Sequence, residues 1–355
     1  MIFACFFMGI IDSKKIIIAM AAIAALMVTD MSAANRARVR KVILEPTEMR
    51  YGDTTRTSIP FSKDPTVIRL GNRYLMYYSV TAYEKDRVPA GTANTGWHSG
   101  IAESSDLIHW SKVDDLKLYD TSGKRIWGAV APCVKRFGGK IHLFYQRKWK
   151  GSPSSNSNIW HAVSKDGINF YNVYDEPILY MNSSWSVDRS IDAEVYRVGN
   201  KLILLFATRE TTDKVQMLGM AEAPYHSDYG PDKWTLLSKE APLMKPDFPW
   251  ECSCIEAPTV IKHKGVYYLF YAGAYNHEFQ QIGLATSTDG YNYTRIAPDG
   301  LLFHAGEEGT WNQGESGHPG VFQDEDGQVY LFFQGKASKN ANYLLSVCKV
   351  KFQDF

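Results

Sequence analysis

Five segments of the chain carry runs of apolar and aromatic residues long enough for buried strands: RYLMYYS (73–79), KIHLFYQ (140–146), KLILLFAT (201–208), VYYLFYAG (266–273) and VYLFFQG (329–335). Each follows a tight turn, at Gly71-Asn72, Gly138-Gly139, Gly199-Asn200, Lys264-Gly265 or Asp326-Gly327, the chemistry of a hairpin between paired strands. Before each turn stands a shorter strand of one shape: Asp64-Pro65-Thr66-Val67-Ile68, Ala131-Pro132-Cys133-Val134, Asp192-Ala193-Glu194-Val195-Tyr196, Glu256-Ala257-Pro258-Thr259-Val260 and His318-Pro319-Gly320-Val321-Phe322. A third strand follows in four units (99–104, 158–164, 216–223 and 281–287), and a fourth begins after 104–110, 164–170, 228–234 and 287–293. With residues 64, 131, 192, 256 and 318 as marks, the unit repeats in steps of 67, 61, 64 and 62 residues. The pattern predicts an all-β chain: a five-bladed β-propeller with four-stranded blades. Only 37 residues follow His318, too few for a complete blade, so the segment 42–49 (VILEPTEM) is expected to supply the missing outer strand and close the ring from the N-terminal side.

Composition adds limits. The chain has 355 residues, 39 Lys+Arg against 38 Asp+Glu, and a formal net charge of +1, which excludes a strongly basic nucleic-acid binder. With 9 Trp, 21 Tyr and 17 Phe, rings are abundant, but most fall in the second strand of each unit (Tyr74, Tyr77, Tyr78, Phe144, Tyr145, Phe206, Tyr267, Tyr268, Phe270, Tyr330, Phe332 and Phe333). There they are expected to pack blade against blade. At the N-terminus, Lys14-Lys15, the apolar run 16–28 and Ser32-Ala33-Ala34 have the form of a secretory signal, with an N-terminal anchor as the alternative. The expected organisation is a signal peptide at 1–34, an arm and closing strand at 35–59, and a catalytic propeller at 60–355. The mature chain is then periplasmic or secreted, with no membrane contact after cleavage. Cys133, Cys252, Cys254 and Cys348 remain; export permits disulfides, but Cys252-Ser253-Cys254 lacks the second ligand pair of a zinc site.

The first strand of a propeller blade lies innermost, so the five marks should ring one mouth of the axis. They carry Asp64, Ala131, Asp192, Glu256 and His318. Strands disfavour Asp, and carboxyl groups gathered in a partly desolvated axis shift one another's pKa values, the condition that separates an acid from a base.

The order Asp-Pro, Ala-Pro, Ser-Ile-Asp, Ile-Glu-Ala-Pro and Gly-His through the five units resembles glycoside hydrolase family 43, over essentially all of residues 60–355. The resemblance implies a five-bladed propeller that cleaves terminal bonds of plant or algal oligosaccharides, of arabinofuranoside, xyloside or galactoside type, by an inverting mechanism. It implies Asp64 as general base, Glu256 as general acid, and Asp192 as the carboxylate that raises and orients the acid. Chemistry agrees, since glycoside cleavage uses two carboxyl groups. No cofactor is required. The family often has a calcium ion near the histidine matched by His318, although a single axial histidine equally suits a hydrogen-bonded core residue. Where the family carries an Asp after the second-unit Ala-Pro this chain has Cys133, which puts substrate contacts in doubt. The segment Ala33-x-x-Arg36-Ala37-x-x-Arg40 resembles a dimerising N-terminal motif of family 117, and suggests a homodimer through the arm. That family has a His before each of two acids, where this chain has Ile191 and Ile255.

Loops leaving the inner strands should hold the sugar. Trp97 and Trp127 are candidates for stacking on it, and Arg209, Gln281 and His318 for binding it. Loop packing, or pairing of Arg209 with a carboxylate, would use the same residues. A glycoside phosphorylase is the second enzymatic reading; it needs cations opposite the acid, with Arg147, Arg209 and His277 to supply them. A carbohydrate-binding propeller without turnover is the third, and would not need the acid–base set.

Overall fold

The structure, a computed structural model, describes residues 40–89, 96–148, 157–181, 183–212, 214–275 and 278–353. The expected leader, the arm before Arg40 with most of its dimer motif, and His277 lie outside the described residues.

Five small sheets form the ring. Their inner, second, third and outer strands are Lys63–Leu70, Arg73–Val80, His98–Ser104 and Ser111–Asp115 in blade one, and Val130–Phe137, Lys140–Lys148, Ser157–Ser164 and Asn169–Asn172 in blade two. Blade three has Ile191–Val198, Lys201–Arg209, Gln216–Pro224 and Thr235–Leu236. Blade four has Ile255–His263, Val266–Gly273, Gln281–Ser287 and Thr294–Arg295. In blade five the inner strand Glu315–Gln323 is followed by Val329–Lys336 and Leu344–Gln353, and Lys41–Pro46 adds the outer position. That last pairing runs antiparallel from Lys41 opposite Gln353 to Pro46 opposite Cys348. The ring is therefore closed by the N-terminal strand. Blade two departs from the repeat: Lys117–Tyr119 and Arg125–Ile126, from the connection out of blade one, extend it to six strands.

The core is five hydrophobic clusters, one between each pair of neighbouring blades. Side chains alternate along a strand, so Tyr77 enters the cluster with blade two while Tyr78 faces blade five. Likewise Tyr145 faces blade one and Phe144 faces blade three. Glycine on the third strand admits the ring: Phe206 pairs with Gly219, where a Cβ would stand 2.4 Å from the ring. Gly219→Ala is expected to destabilise the fold by about 1–3 kcal/mol, measured by urea unfolding, with Phe206→Leu relieving part of the loss.

A clasp runs around the axis. One side chain near the start of the inner strand, two residues beyond 64, 192 or 257, accepts the next blade's backbone N–H: Thr66 from Val134 (3.4 Å), Glu194 from Val260 (3.0 Å) and Thr259 from Val321 (3.1 Å). At the closing seam this position is Gly320, where a Cβ would meet the Pro65 carbonyl at 2.0 Å. Cys133 belongs to this clasp, its Sγ 3.5 Å from Glu194, whose other oxygen takes Lys135 at 2.9 Å. It does not line the site cavity, so the departure at Cys133 alters inter-blade packing and not, as expected, the substrate contacts. The four cysteines named above are free thiols, with Cys252 exposed and the rest buried.

Candidate active site

Each inner strand slips register against its second strand near the axis, between Lys63 and Thr66, Val130 and Cys133, Ile191 and Glu194, Glu256 and Thr259, and Gly317 and Gly320. Within each slip one residue takes the left-handed conformation: Asp64 (φ 53°), Ala131 (45°), Asp192 (52°), Ala257 (49°) and His318 (43°). For a non-glycine residue this costs about 1–2 kcal/mol, and such strain gathers at functional sites.

These residues correct the sequence register. The fourth mark is Ala257, followed by Pro258 as Ala131 is by Pro132; Glu256 comes one residue earlier, in the place held by Lys63, Val130, Ile191 and Gly317. The three carboxyls therefore do not share one register. Two project from the strained residues and the third from the residue before one.

They nonetheless converge. His318 stands between two of them, Nδ1 3.0 Å from Asp64 Oδ1 and Nε2 2.9 Å from Glu256 Oε1. Single ligand atoms of Asp192, Glu256 and His318 lie within 4.8 Å of one another. All four residues line a cavity of about 580 Å³ at one mouth of the axis, in the size range of small-molecule sites. Neighbouring blades set their backbones: Gln334 accepts the Asp64 N–H and Gln146 the Asp192 N–H, each at 3.2 Å. Gln280 Nε2 donates to Glu256 Oε1 at 2.8 Å, and Gln216 Nε2 donates to Oε2.

Environment separates the acids. Burial opposes ionisation of Asp64, but the Lys63 and His318 charges and hydrogen bonds from His318 and Ser79 outweigh it and hold the carboxyl well below the usual range. Glu256 is likewise lowered despite burial, by His318, Lys63 and Gln280. Burial, with Glu256 and Asp64 nearby, raises Asp192 to about 7 against the opposing pull of His318 and Arg189. One of its carboxyl oxygens is buried without a hydrogen-bond partner. Burial would lower His318, yet Asp64 and Glu256 hold it well above its ordinary value. The cluster is thus arranged as an imidazolium between two carboxylates, beside a carboxyl whose hold on a proton is strengthened.

This arrangement fits a calcium ion at His318 poorly. Both ring nitrogens face carboxyl oxygens, and calcium takes oxygen ligands.

Of the expected binding residues, Trp97, Trp127, Arg209 and His318 line the cavity. Trp97 is 43% exposed and packs edge-on against Phe61 at 5.5 Å. Trp127 lies against His98, ring centres 4.7 Å apart. Burial lowers that histidine to about 4, and its nitrogens engage the Leu116 carbonyl (2.7 Å) and the Gly128 and Ala129 N–H groups (3.2 Å each), so it braces the tryptophan loop. Arg209 Nε donates to Gln216 Oε1 at 3.1 Å. Gln281 is a correction: its amide oxygen accepts the Ala305 N–H at 3.3 Å, it is not among the residues lining the cavity, and its neighbour Gln280 reaches Glu256. Sequence reasoning also missed Lys63, Gln216 and Tyr275 in the cavity wall. Aligning the units on the left-handed residues could have found Lys63, since it precedes Asp64 as Glu256 precedes Ala257.

Comparison with known proteins agrees with this architecture. Residues 58–348 match the family model described as glycosyl hydrolases family 43. Among solved structures, the chain resembles a thermostable family-43 glycoside hydrolase (TM-score 0.64, 19% identity, covering 86% of this chain and 94% of that one). It also resembles an endo-1,4-β-xylanase from Bacteroides thetaiotaomicron (TM-score 0.59, 21% identity, 83% and 94%). A third is the catalytic domain of the GH62 α-L-arabinofuranosidase of Coprinopsis cinerea (TM-score 0.59, 12% identity, 90% and 99%). At these identities the likeness is one of fold. Two uncharacterized proteins of Mycobacterium tuberculosis are 31% identical over 140 residues, covering 36% of this chain and 40% of each relative; the match thus spans less than half the length of these curated relatives. The family match extends over most of the propeller, and the chain belongs to glycosyl hydrolases family 43.

Proposed function

We propose that the protein is an exo-acting glycoside hydrolase that removes terminal sugars from plant or algal oligosaccharides by single displacement. The observation that carries this reading is the convergence of Asp64, Asp192 and Glu256 around His318 on the floor of a cavity. Asp64, ionised throughout the working pH range, orients and deprotonates the attacking water. Glu256 protonates the leaving oxygen; His318 Nε2, 2.9 Å away, is the donor through which that carboxyl regains a proton. Asp192, whose pKa is raised by burial beside Glu256 and Asp64, stores a proton next to Glu256. The imidazole and its two contacts hold Asp64 and Glu256 apart, which favours the wider spacing of an inverting pair (~6.5–9.5 Å) over the ~5–5.5 Å of a retaining one.

A panel of aryl arabinofuranosides, xylosides and galactosides tests the reading. Release of the phenol by the wild type, cut by about 10²–10⁴-fold in Asp64→Asn, is the expected result. Equal activity in wild type and Asp64→Asn would overturn the assignment, and binding without release from any member would favour a carbohydrate-binding propeller.

A further inference from the structure

The cavity has an excess of positive charge that cleavage of a neutral sugar does not call for. Its walls carry Lys63, Arg147, Lys148, Arg189 and Arg209, besides His318, against the three carboxyls of the floor. Lys63 acts with His318 on Asp64 and Glu256, and Arg189 acts on Asp192, yet these do not use up the positive charge of the walls. The four besides Lys63 stand together on one side. Arg147 and Lys148 end the second strand of blade two (Lys140–Lys148), Arg209 ends that of blade three (Lys201–Arg209), and Arg189 lies in the connection just before the inner strand Ile191–Val198.

Two of these guanidinium groups are set in place by rings. Arg147 lies over Trp160 at 5.2 Å and Arg209 over Tyr275 at 5.8 Å. Gly128, beside Trp127, has a positive φ of 94° and lies next to the Arg147 side chain. Arg209 is further held by Gln216, whose amide also donates to Glu256, so one glutamine links this wall to the floor. Arg147, Arg189 and Arg209 are half-buried. Planar, weakly hydrated cations held at that depth are suited to fork onto a carboxylate or a sulfate ester.

We infer that the wall of Arg147, Lys148, Arg189 and Arg209 binds an anionic group on the saccharide, so that the substrate is an acidic oligosaccharide bearing a uronate carboxylate or a sulfate ester. The inference rests on the glycosidase reading of the same cavity and names its substrate class.

Binding is measured by calorimetry on the full chain carrying Glu256→Gln, which separates recognition from turnover. The probes are oligosaccharides cut from pectin and from a sulfated algal galactan, each compared with its carboxyl-reduced or desulfated counterpart of the same linkages. Removing the anionic group is expected to weaken binding about tenfold to a hundredfold. Arg147→Gln and Arg209→Gln are expected to shrink that ratio, by weakening the charged form more than its neutral counterpart. The carboxyl-reduced and desulfated arms tell a uronate from a sulfate ester. Equal affinity for charged and neutral forms would overturn the inference. So would inorganic phosphate supporting release of a sugar phosphate by the wild type while neither acidic probe binds, since the wall would then serve a phosphate nucleophile. Wild-type hydrolysis of neutral aryl glycosides is scored separately: cleavage with no preference for charge removes this inference and leaves the glycosidase standing.

Discussion

Glu256→Gln is expected to lose about 10²–10⁴-fold in kcat/KM on a glycoside with a poor leaving group, and to recover most of that loss on a 2,4-dinitrophenyl glycoside. The dinitrophenolate leaves without a proton, so a variant that lacks only the acid is no longer handicapped. Asp64→Asn is expected to lose a similar factor on both substrates, because activation of water is needed whatever leaves. The comparison also decides between two acids in one cluster. Asp192 is raised to about 7 and Glu256 is lowered in the ligand-free arrangement; read alone, those directions would make Asp192 the proton donor. Glu256 is assigned because it receives His318, Gln216 and Gln280 at its two oxygens, a set that can reload and orient it. Recovery in Asp192→Asn and not in Glu256→Gln would exchange the two roles.

His318→Gln is expected to shift the whole pH–rate profile upward by about 1–3 units, with a fall in kcat. The sign follows from the charge removed. The imidazolium lowers both Asp64 and Glu256; glutamine can still donate to carboxyl oxygens but carries no charge. The base then titrates at higher pH, which moves the acid limb up, and the acid keeps its proton to higher pH, which moves the alkaline limb up. Stability separates the variants in the same direction. The folded-state value of His318 is raised, so its contribution is fully present below its ordinary value near 6.5 and is lost as pH rises through the raised one. The wild type should therefore lose its Tm advantage over His318→Gln in alkaline buffer. Profiles that superimpose would show that His318 does not carry charge between the carboxyls.

Strand pattern made the scaffold legible in the sequence, because a propeller repeats its buried second strand and its turns. The ring closure by Lys41–Pro46 could be deduced from the shortness of the last unit. The site was harder to read, for reasons the backbone explains. A register slip in each inner strand inserts a left-handed residue, so Glu256 and Ala257 exchange the roles that alignment on acidic residues suggests; alignment on Ala131-Pro132 and Ala257-Pro258 would have placed them. Gln280 was missed in favour of Gln281 because it lies just before the strand Gln281–Ser287, where alternation gives no guidance. Arg189 sits in a connection, and Lys148, which lines the same cavity, is 41 residues away in sequence. No periodicity joins them. The wall of cations exists only once blades two and three are adjacent.

In the proposed single displacement, water held at Asp64 attacks the anomeric carbon directly. Proton NMR of the first-formed sugar, followed in real time on whichever aryl glycoside the wild type cleaves, tests this most directly. The anomer opposite to that of the substrate is expected to appear first and then to mutarotate. First appearance of the substrate's own anomer would mean a covalent intermediate between closely spaced carboxyls, and would contradict single displacement.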